Sequence, residues 1–178
     1  MYGVIYIAIK EYAETAFGTQ KWQAIVAGSG VTVDFTFTEQ PFNDNISYSL
    51  AKAAAAVTGT PLQTVLYNFG LQVIRTTNTR FKPIMSSRGE TLRDYLLNLP
   101  DFHNRISLIY PQLTAPEFRL TDVTDTCLMF HYRKKREGMT EYFRGYLNGL
   151  AEVYNENVTI TPVSATSDPE EVYKITWQ

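Results

Sequence analysis

Two histidines are the first candidates for chemistry in this sequence of 178 residues. His103 lies in the segment LPDFHNRI, where Pro100 fits the first turn of a new helix. In such a helix Phe102, Ile106 and Ile109 form an apolar stripe. His103 lies beside that stripe. Its imidazole can face a buried cofactor, or it can be a core histidine whose hydrogen bonds are satisfied by its neighbours.

The rest of the composition excludes most other kinds of site. Cys127 is the single cysteine, so the sequence cannot build a multi-cysteine zinc or iron–sulfur site or an internal disulfide. No glycine-rich phosphate loop is present, and no Ser/His/Asp or Cys/His array can be assigned. An iron in a porphyrin is different, because the porphyrin supplies four nitrogens and the protein needs one good axial ligand. Two histidines are enough for that kind of centre.

The segment FHYRKKR is typical of a β-strand and contains the second histidine, His131. Successive strand residues alternate between faces, so Tyr132, Lys134 and Arg136 share one face. A hydroxyl and two cations on one strip suit a ligand with two carboxylates, such as the haem propionates. The alternative is a solvated, basic strand end.

Two tyrosines in the region 139–154 are a further candidate site. The region is predicted to be helical, which places Tyr142 and Tyr146 on one face. Gly145 and Gly149 permit close approach by another element. The phenols can belong to a plain core, or they can present hydroxyls to a bound ligand, because a buried tyrosine hydroxyl needs a partner.

The bulk composition is that of an ordinary globular protein, with 44% hydrophobic and 19% charged residues. The net charge of −2 gives no indication of a nucleic-acid partner. The near-absence of cysteine favours a reducing compartment. The N-terminal segment lacks the features of a signal peptide, and no apolar stretch is long enough for a membrane span. We therefore expect a cytoplasmic protein.

The elements that must position these residues are helices first and a mixture of strands and helices later. Residues 31–37 are ambiguous between strand and turn, and a loop rich in Thr, Ser and Arg is expected after residue 77. Helices are predicted at 2–17, 19–28, 46–58, 61–77, 90–97, 100–110 and 139–154. Strands are predicted in FRLTDVT, CLMFHYRKK, VTITPV and VYKITW, with a hairpin turn at 122–126. The fold class is therefore α+β.

Several segments of the sequence resemble the H-NOX (haem-nitric oxide/oxygen binding) family, which includes the haem domain of soluble guanylate cyclase. They are MYGVIYIAI, FGTQKWQAI, ISYSLAKAAAAVTGTP, NFGLQVI, NLPDFHNRI and YRKKR, in the family's order. The resemblance implies one domain over residues 1–178. A helical lobe of about residues 1–60 would pack on an α/β lobe of about 61–178 with an antiparallel sheet, and haem b would be buried between the lobes.

The resemblance assigns roles to individual residues. His103 falls on the proximal iron ligand, and Tyr132 and Arg136 fall on the pair that binds the propionates. Pro116 falls on the proline that packs against the porphyrin. Lys134 replaces the serine of the family motif, so the propionate contacts must differ in detail.

On the distal side, Tyr142 falls on the tyrosine with which oxygen-binding members hold oxygen. Ile9 and Val73 stand where such members can have a tryptophan and an asparagine, and Ile5 offers no donor either. Tyr146 adds a bulky group where an aliphatic one is usual. An apolar pocket disfavours oxygen relative to NO, because bound oxygen needs a donor. We therefore expect NO, with CO, as the ligand and weak binding of oxygen. An oxygen-binding protein that uses Tyr142 is the alternative.

The implied function is that of a non-catalytic gas sensor. In the family, NO weakens or breaks the bond between iron and histidine, and the proximal helix moves. The output would go to a separate partner, a histidine kinase or a cyclic-dinucleotide enzyme, with neither nucleic acid nor a membrane span involved. Two other classes stay open: a haem enzyme or oxygen carrier, and an interaction module without haem.

Overall fold

The first two helices are divided by one glycine. The computed structural model describes residues 3–36, 44–109, 117–133, 138–163 and 170–178. α1 (Val4–Phe17) ends and α2 (Thr19–Ser29) begins at Gly18, whose φ of 87° favours glycine. Both helices are as predicted. Residues 31–36 form no strand, because the Asp34 carboxylate accepts hydrogen bonds from the amide and hydroxyl of Thr36 and closes a turn.

The next helices confirm two predictions and correct one. α3 (Asp44–Thr58) ends before Gly59, and α4 (Leu62–Arg80) begins directly after Pro61, as the sequence indicates. The loop expected after residue 77 is wrong. α4 continues to Arg80, and a short helix, α5 (Lys82–Ser86), follows it.

A single helix, α6 (Leu92–Ile109), replaces the two helices that Pro100 was expected to separate. Proline removes one backbone hydrogen bond, but it does not end a helix that packing holds on both sides. Leu96 and Leu99 are fully buried before Pro100, and Ile106 is buried after it. The predicted stripe is also shorter than expected, because Ile109 is 65% exposed.

The strands form one antiparallel sheet in the order β1-β2-β4-β3, with α7 (Thr140–Tyr154) between the second and third in sequence. The strands are β1 (Phe118–Thr121), β2 (Cys127–Arg133), β3 (Val158–Val163) and β4 (Glu170–Trp177). Leu128, Phe130 and Tyr132 alternate with more exposed neighbours, so they form the buried face of β2. Each predicted strand segment contains a strand, although β1 ends at Thr121 and residues 134–135 lie outside the described residues. Residues 122–126 connect β1 and β2, as predicted.

α4 and α7 cross at very short distance because glycines line the contact. A Cβ atom on Gly70 would overlap the carbonyl oxygen of Tyr142, and one on Gly145 would overlap the carbonyl oxygen of Tyr67. Each glycine therefore meets the backbone of the opposite helix, which cannot rotate away. The crossing fixes the position of α7 against the helical half of the molecule.

The described residues thus form an α+β fold of seven helices and a four-stranded sheet, as predicted. The division into lobes at about residue 60 stays a prediction. No helix within the described ranges is long and apolar enough to cross a membrane.

Candidate functional site

His103 lies on the buried face of α6. The residue is 9% exposed, and the ring centroid of Phe118 on β1 is 5.0 Å from that of the imidazole. Leu99, one turn earlier on the helix, is fully buried. The structure therefore directs this imidazole into an aromatic and aliphatic interior.

Tyr132 lies in the same interior, on the inner face of β2. It is 1% exposed, and its ring centroid is 5.8 Å from that of Phe118 and 3.6 Å from that of Phe143 on α7. Phe118 contacts both His103 and Tyr132, so β1 connects the two residues that the sequence predicted for one site.

The start of α7 is held beside Tyr132 by a buried carboxylate. Glu171 is opposite Tyr132 in the β2–β4 ladder and is 6% exposed. Its oxygens accept hydrogen bonds from the Thr140 hydroxyl at 2.7 Å and the Tyr173 hydroxyl at 2.6 Å. Because Thr140 is the first residue of α7, this contact helps to place Phe143 over Tyr132.

His131 lies on the opposite face of the sheet. Its Nε2 is 2.8 Å from the Thr121 hydroxyl, and its Nδ1 is 3.2 Å from Glu170 Oε2. Arg119 also pairs with Glu170, at 2.7 Å. The hydrogen bond from Arg119 holds the pKa of Glu170 below its ordinary value, against a smaller effect of burial, and His131 lowers that pKa further. The second histidine is therefore committed to a polar cluster outside the interior that contains His103.

The predicted distal residues share the apolar core. Ile9 on α1, Val73 on α4 and Tyr142 on α7 are buried, and Ile5 and Tyr146 pack against the same cluster. The ring of Tyr142 is 5.4 Å from that of Phe143, its neighbour on α7. Three predicted residues, Pro116, Lys134 and Arg136, lie outside the described residues, so their roles stay predictions.

Arg88 is a member of this interior that the sequence analysis missed. It is 8% exposed, and its guanidinium carbon lies 3.6 Å from the ring centroid of Phe102, the residue before His103. Its Nη1 donates a hydrogen bond to the hydroxyl of Tyr95, and that hydroxyl lies 3.4 Å from the hydroxyl of Tyr146. Burial raises the pKa of Tyr146 well above its ordinary value, and the nearby Tyr95 adds to this effect.

The donor set decides what kind of metal centre could fit. In the described parts of the chain, no group of three or more His, Cys, Asp or Glu could hold a metal ion. One imidazole among aromatic rings suits an iron whose remaining ligands come from a planar, largely apolar cofactor. His103, Phe118 and Tyr132 fit a haem in this way. The site is therefore of a kind that suits a haem-binding domain.

The chain belongs to the Haem-NO-binding family, whose model matches residues 2–162. Its relatives include soluble guanylate cyclase gcy-31 of Caenorhabditis elegans, 29% identical over 90% of this chain and 23% of the relative. Soluble guanylate cyclase 89Db of Drosophila melanogaster is 25% identical over 94% of this chain and 25% of the relative. The chain thus spans about a quarter of the length of these curated relatives.

Solved structures with the same fold come from the H-NOX family. An oxygen-binding H-NOX domain related to soluble guanylate cyclases, solved with oxygen, matches with a TM-score of 0.79 and 18% identity. It is matched over 100% of this chain and 95% of that one. An unliganded Fe(II) H-NOX mutant from K. algicida matches with a TM-score of 0.82 and 19% identity, over 100% of this chain and 97% of that one. At these identities the likeness confirms the fold.

Proposed function

We propose that this chain holds one haem b through His103 and acts as a sensor of NO and CO. The observation that carries the proposal is the burial of His103 against Phe118. The ring of Phe118 also contacts Tyr132. His131, the other histidine, is bound to Thr121 and Glu170 on the outer face of the sheet. The haem, when bound, supplies a ferrous iron that can take a diatomic gas.

The propionates of that haem would be held by Tyr132 and Arg136. The phenol of Tyr132 can donate one hydrogen bond, and an arginine can make a charge-assisted pair with a carboxylate. Lys134 would add a second, less directional cation, and Pro116 would pack against the porphyrin. The fixed position of Tyr132 between Phe118 and Phe143 supports this assignment.

The signal would leave through α6, because this helix carries His103. The first residue of α6 is anchored, since the Leu92 amide donates to Glu156 Oε1 at 2.8 Å. Trp177 holds the other oxygen of the same carboxylate at 2.5 Å. A change in the tension on His103 would therefore move the second half of α6 relative to an anchored first turn. Such a shift requires that the gas stabilise one of two states.

The effector that receives this signal is proposed from the relatives and from the family. The relatives are named as soluble guanylate cyclases, so a nucleotide cyclase is one candidate. A histidine kinase and a cyclic-dinucleotide enzyme are the others. We propose that the domain itself has a sensing role and that catalysis belongs to the effector.

The decisive experiment is an absorbance spectrum of the reduced protein under argon, air, CO and NO in turn. Protein purified from cells grown with ample haem should show a Soret band, and the wavelength of that band should shift when CO or NO is added. His103→Gly should lose the haem, or require added imidazole to retain it. His131→Ala is the matched control and should retain haem. The reverse result for the two variants, or no Soret band in the unsubstituted protein, would refute the assignment.

Oxygen binding is the second candidate function. It is favoured by one observation, the presence of the phenols of Tyr142 and Tyr146 on one helix beside Phe143. A stable spectral change in air that disappears in Tyr142→Phe would establish it. Slow oxidation in air, with NO binding unaffected by Tyr142→Phe, would favour NO as the ligand.

A further inference from the structure

Arg88 is a buried cation to which the proposed haem site assigns no role. No ion pair among the described residues includes it, and its Nε atom is buried without a hydrogen-bond partner in those residues. Burying a charge is unfavourable unless hydrogen bonds or a π face compensate. Within the described residues the Arg88 side chain has one hydrogen bond, to Tyr95, and its guanidinium carbon lies over two rings, 3.6 Å from the centroid of Phe102 and 5.0 Å from that of Tyr95. An arrangement of this kind indicates a role other than packing.

The hydrogen bonds of Arg88, Tyr95 and Tyr146, which we call the arginine–tyrosine triad, have a favoured direction. A guanidinium can only donate, so the hydroxyl oxygen of Tyr95 accepts from Arg88. A hydroxyl that accepts from a cation becomes a better donor, because hydrogen bonds in a chain polarise one another. The favoured direction therefore has Tyr95 donating to Tyr146, whose hydroxyl oxygen is 3.4 Å from that of Tyr95. The proton of Tyr146 remains available for another acceptor.

The triad connects α6, which carries the proposed proximal ligand, with α7, which carries the predicted distal tyrosines. Arg88 lies over Phe102, next to His103 on α6, and Tyr146 lies one turn after Tyr142 on α7. A tyrosine with its ordinary pKa of about 10 already keeps its proton at neutral pH, and burial raises the pKa of Tyr146 further. Tyr146 thus keeps a proton that it can donate, and its hydroxyl is positioned by the contact with the hydroxyl of Tyr95.

We infer that Arg88 and Tyr95 position Tyr146 as the hydrogen-bond donor to a diatomic ligand in this pocket. The inference rests on the proposed haem function and names the residue that sets gas specificity. Oxygen gains most from a donor, because it accumulates negative charge when it binds, whereas NO needs no donor. Tyr142 is then secondary, and the triad takes the place of the tryptophan and asparagine for which this chain has Ile9 and Val73.

The test compares Tyr146→Phe with Tyr142→Phe, which removes the same hydroxyl one turn away. In the CO-exposed, reduced protein, the infrared stretching frequency of CO reports a nearby donor directly. We expect this frequency to rise in Tyr146→Phe and to stay unchanged in Tyr142→Phe. Oxygen release, measured by stopped flow, should quicken about tenfold in Tyr146→Phe, the effect of one hydrogen bond. NO release should change less than twofold.

Variants of the supporting residues separate positioning from packing. Tyr95→Phe breaks the triad with the smallest change of shape and should reproduce the infrared shift of Tyr146→Phe. Arg88→Met should do the same, and Arg88→Lys should restore part of the original frequency.

Two results would overturn the inference while leaving the proposed function intact: an unchanged CO frequency in Tyr146→Phe, or a shift found in Tyr142→Phe alone. Absence of a Soret band from the unsubstituted protein would refute the proposed function, and this inference with it.

Discussion

The crossing of α4 and α7 makes Gly145→Ala the most informative single substitution for stability. A Cβ at position 145 would overlap the Tyr67 carbonyl oxygen, and it would lie 2.8 Å from the Tyr67 carbonyl carbon and 3.1 Å from the Leu71 amide nitrogen. All of these are backbone atoms, so the helices must separate. Overpacking of this kind costs about 1–3 kcal/mol, and the absence of a movable side chain places it near the upper end.

Alanine also favours the helix over glycine by about 1 kcal/mol, which offsets part of that loss. The expected net loss is therefore about 2 kcal/mol in the free energy of unfolding. For a domain of this size that corresponds to a fall of about 4–8 °C in Tm.

A matched control is available in α2. At Gly28 the added Cβ would meet only the Ala53 Cβ, at 4.0 Å, which is an ordinary contact. Gly28→Ala should therefore leave the protein unchanged or raise its stability by about 0.5 kcal/mol, because it gains helix propensity without a clash. Urea unfolding followed by circular dichroism measures both variants. Equal stability of Gly145→Ala and Gly28→Ala would show that the helices do not approach as closely as described.

Three further predictions concern the haem contacts, the pH dependence and the anchor of α6. Arg136→Ala should speed haem loss to an acceptor protein about tenfold, because a charge-assisted pair contributes roughly 1.5–3 kcal/mol, whereas Lys134→Ala should have a smaller effect; equal off-rates for Arg136→Ala and the unsubstituted protein would contradict the propionate assignment. Burial raises the pKa of Glu11, but hydrogen bonds from Thr76 and Arg80 outweigh it and leave that pKa below its ordinary value. A carboxylate whose pKa is lower in the folded state stabilises the protein at pH values above its unfolded-state pKa. This stabilisation is lost as the pH falls through the folded-state pKa. Glu11→Gln should therefore lower Tm at pH 7, and the difference should shrink as the pH falls below the ordinary glutamate pKa of about 4.3; a constant difference from pH 7 to pH 3 would exclude this origin. Glu156→Ala removes the acceptor of the Leu92 amide and should lower the free energy of unfolding by about 1–2 kcal/mol, with earlier hydrogen exchange at the start of α6; unchanged exchange there would show that the anchor is dispensable.

The helix ends and the sheet could be predicted because local chemistry decides them. Helix boundaries are marked by Gly18, Gly59 and Pro61, which stand between amphipathic segments. The alternation of buried and more exposed residues in β2 follows from strand geometry. His103 and Tyr132 could be proposed together only through the family resemblance, since nothing in their spacing shows that Phe118 brings them into one interior.

The wrong prediction that a helix ends before Pro100 is the reason that the buried position of Arg88 was missed. Tyr95 and Phe102 are seven residues apart, which is two turns, so they share a face only if α6 continues through Pro100. Division of the helix at Pro100 separates these rings, and the surroundings of Arg88 then resemble a solvated loop. Tertiary packing of Leu96, Leu99 and Ile106 keeps the helix whole, and such packing is not a local property of the sequence.

Pro100 also gives α6 an uneven resistance to bending. It has no amide proton for the carbonyl of Leu96, so the ladder of backbone hydrogen bonds is weakest there, between the anchored first turn and His103. If His103 holds the iron as proposed, a displacement of this residue would bend the helix at Pro100 before it disturbed the anchor at Glu156. The proposed signal would then appear as a change in the direction of the C-terminal half of α6, with Pro100, three residues before His103, as the hinge and the first turn held in place.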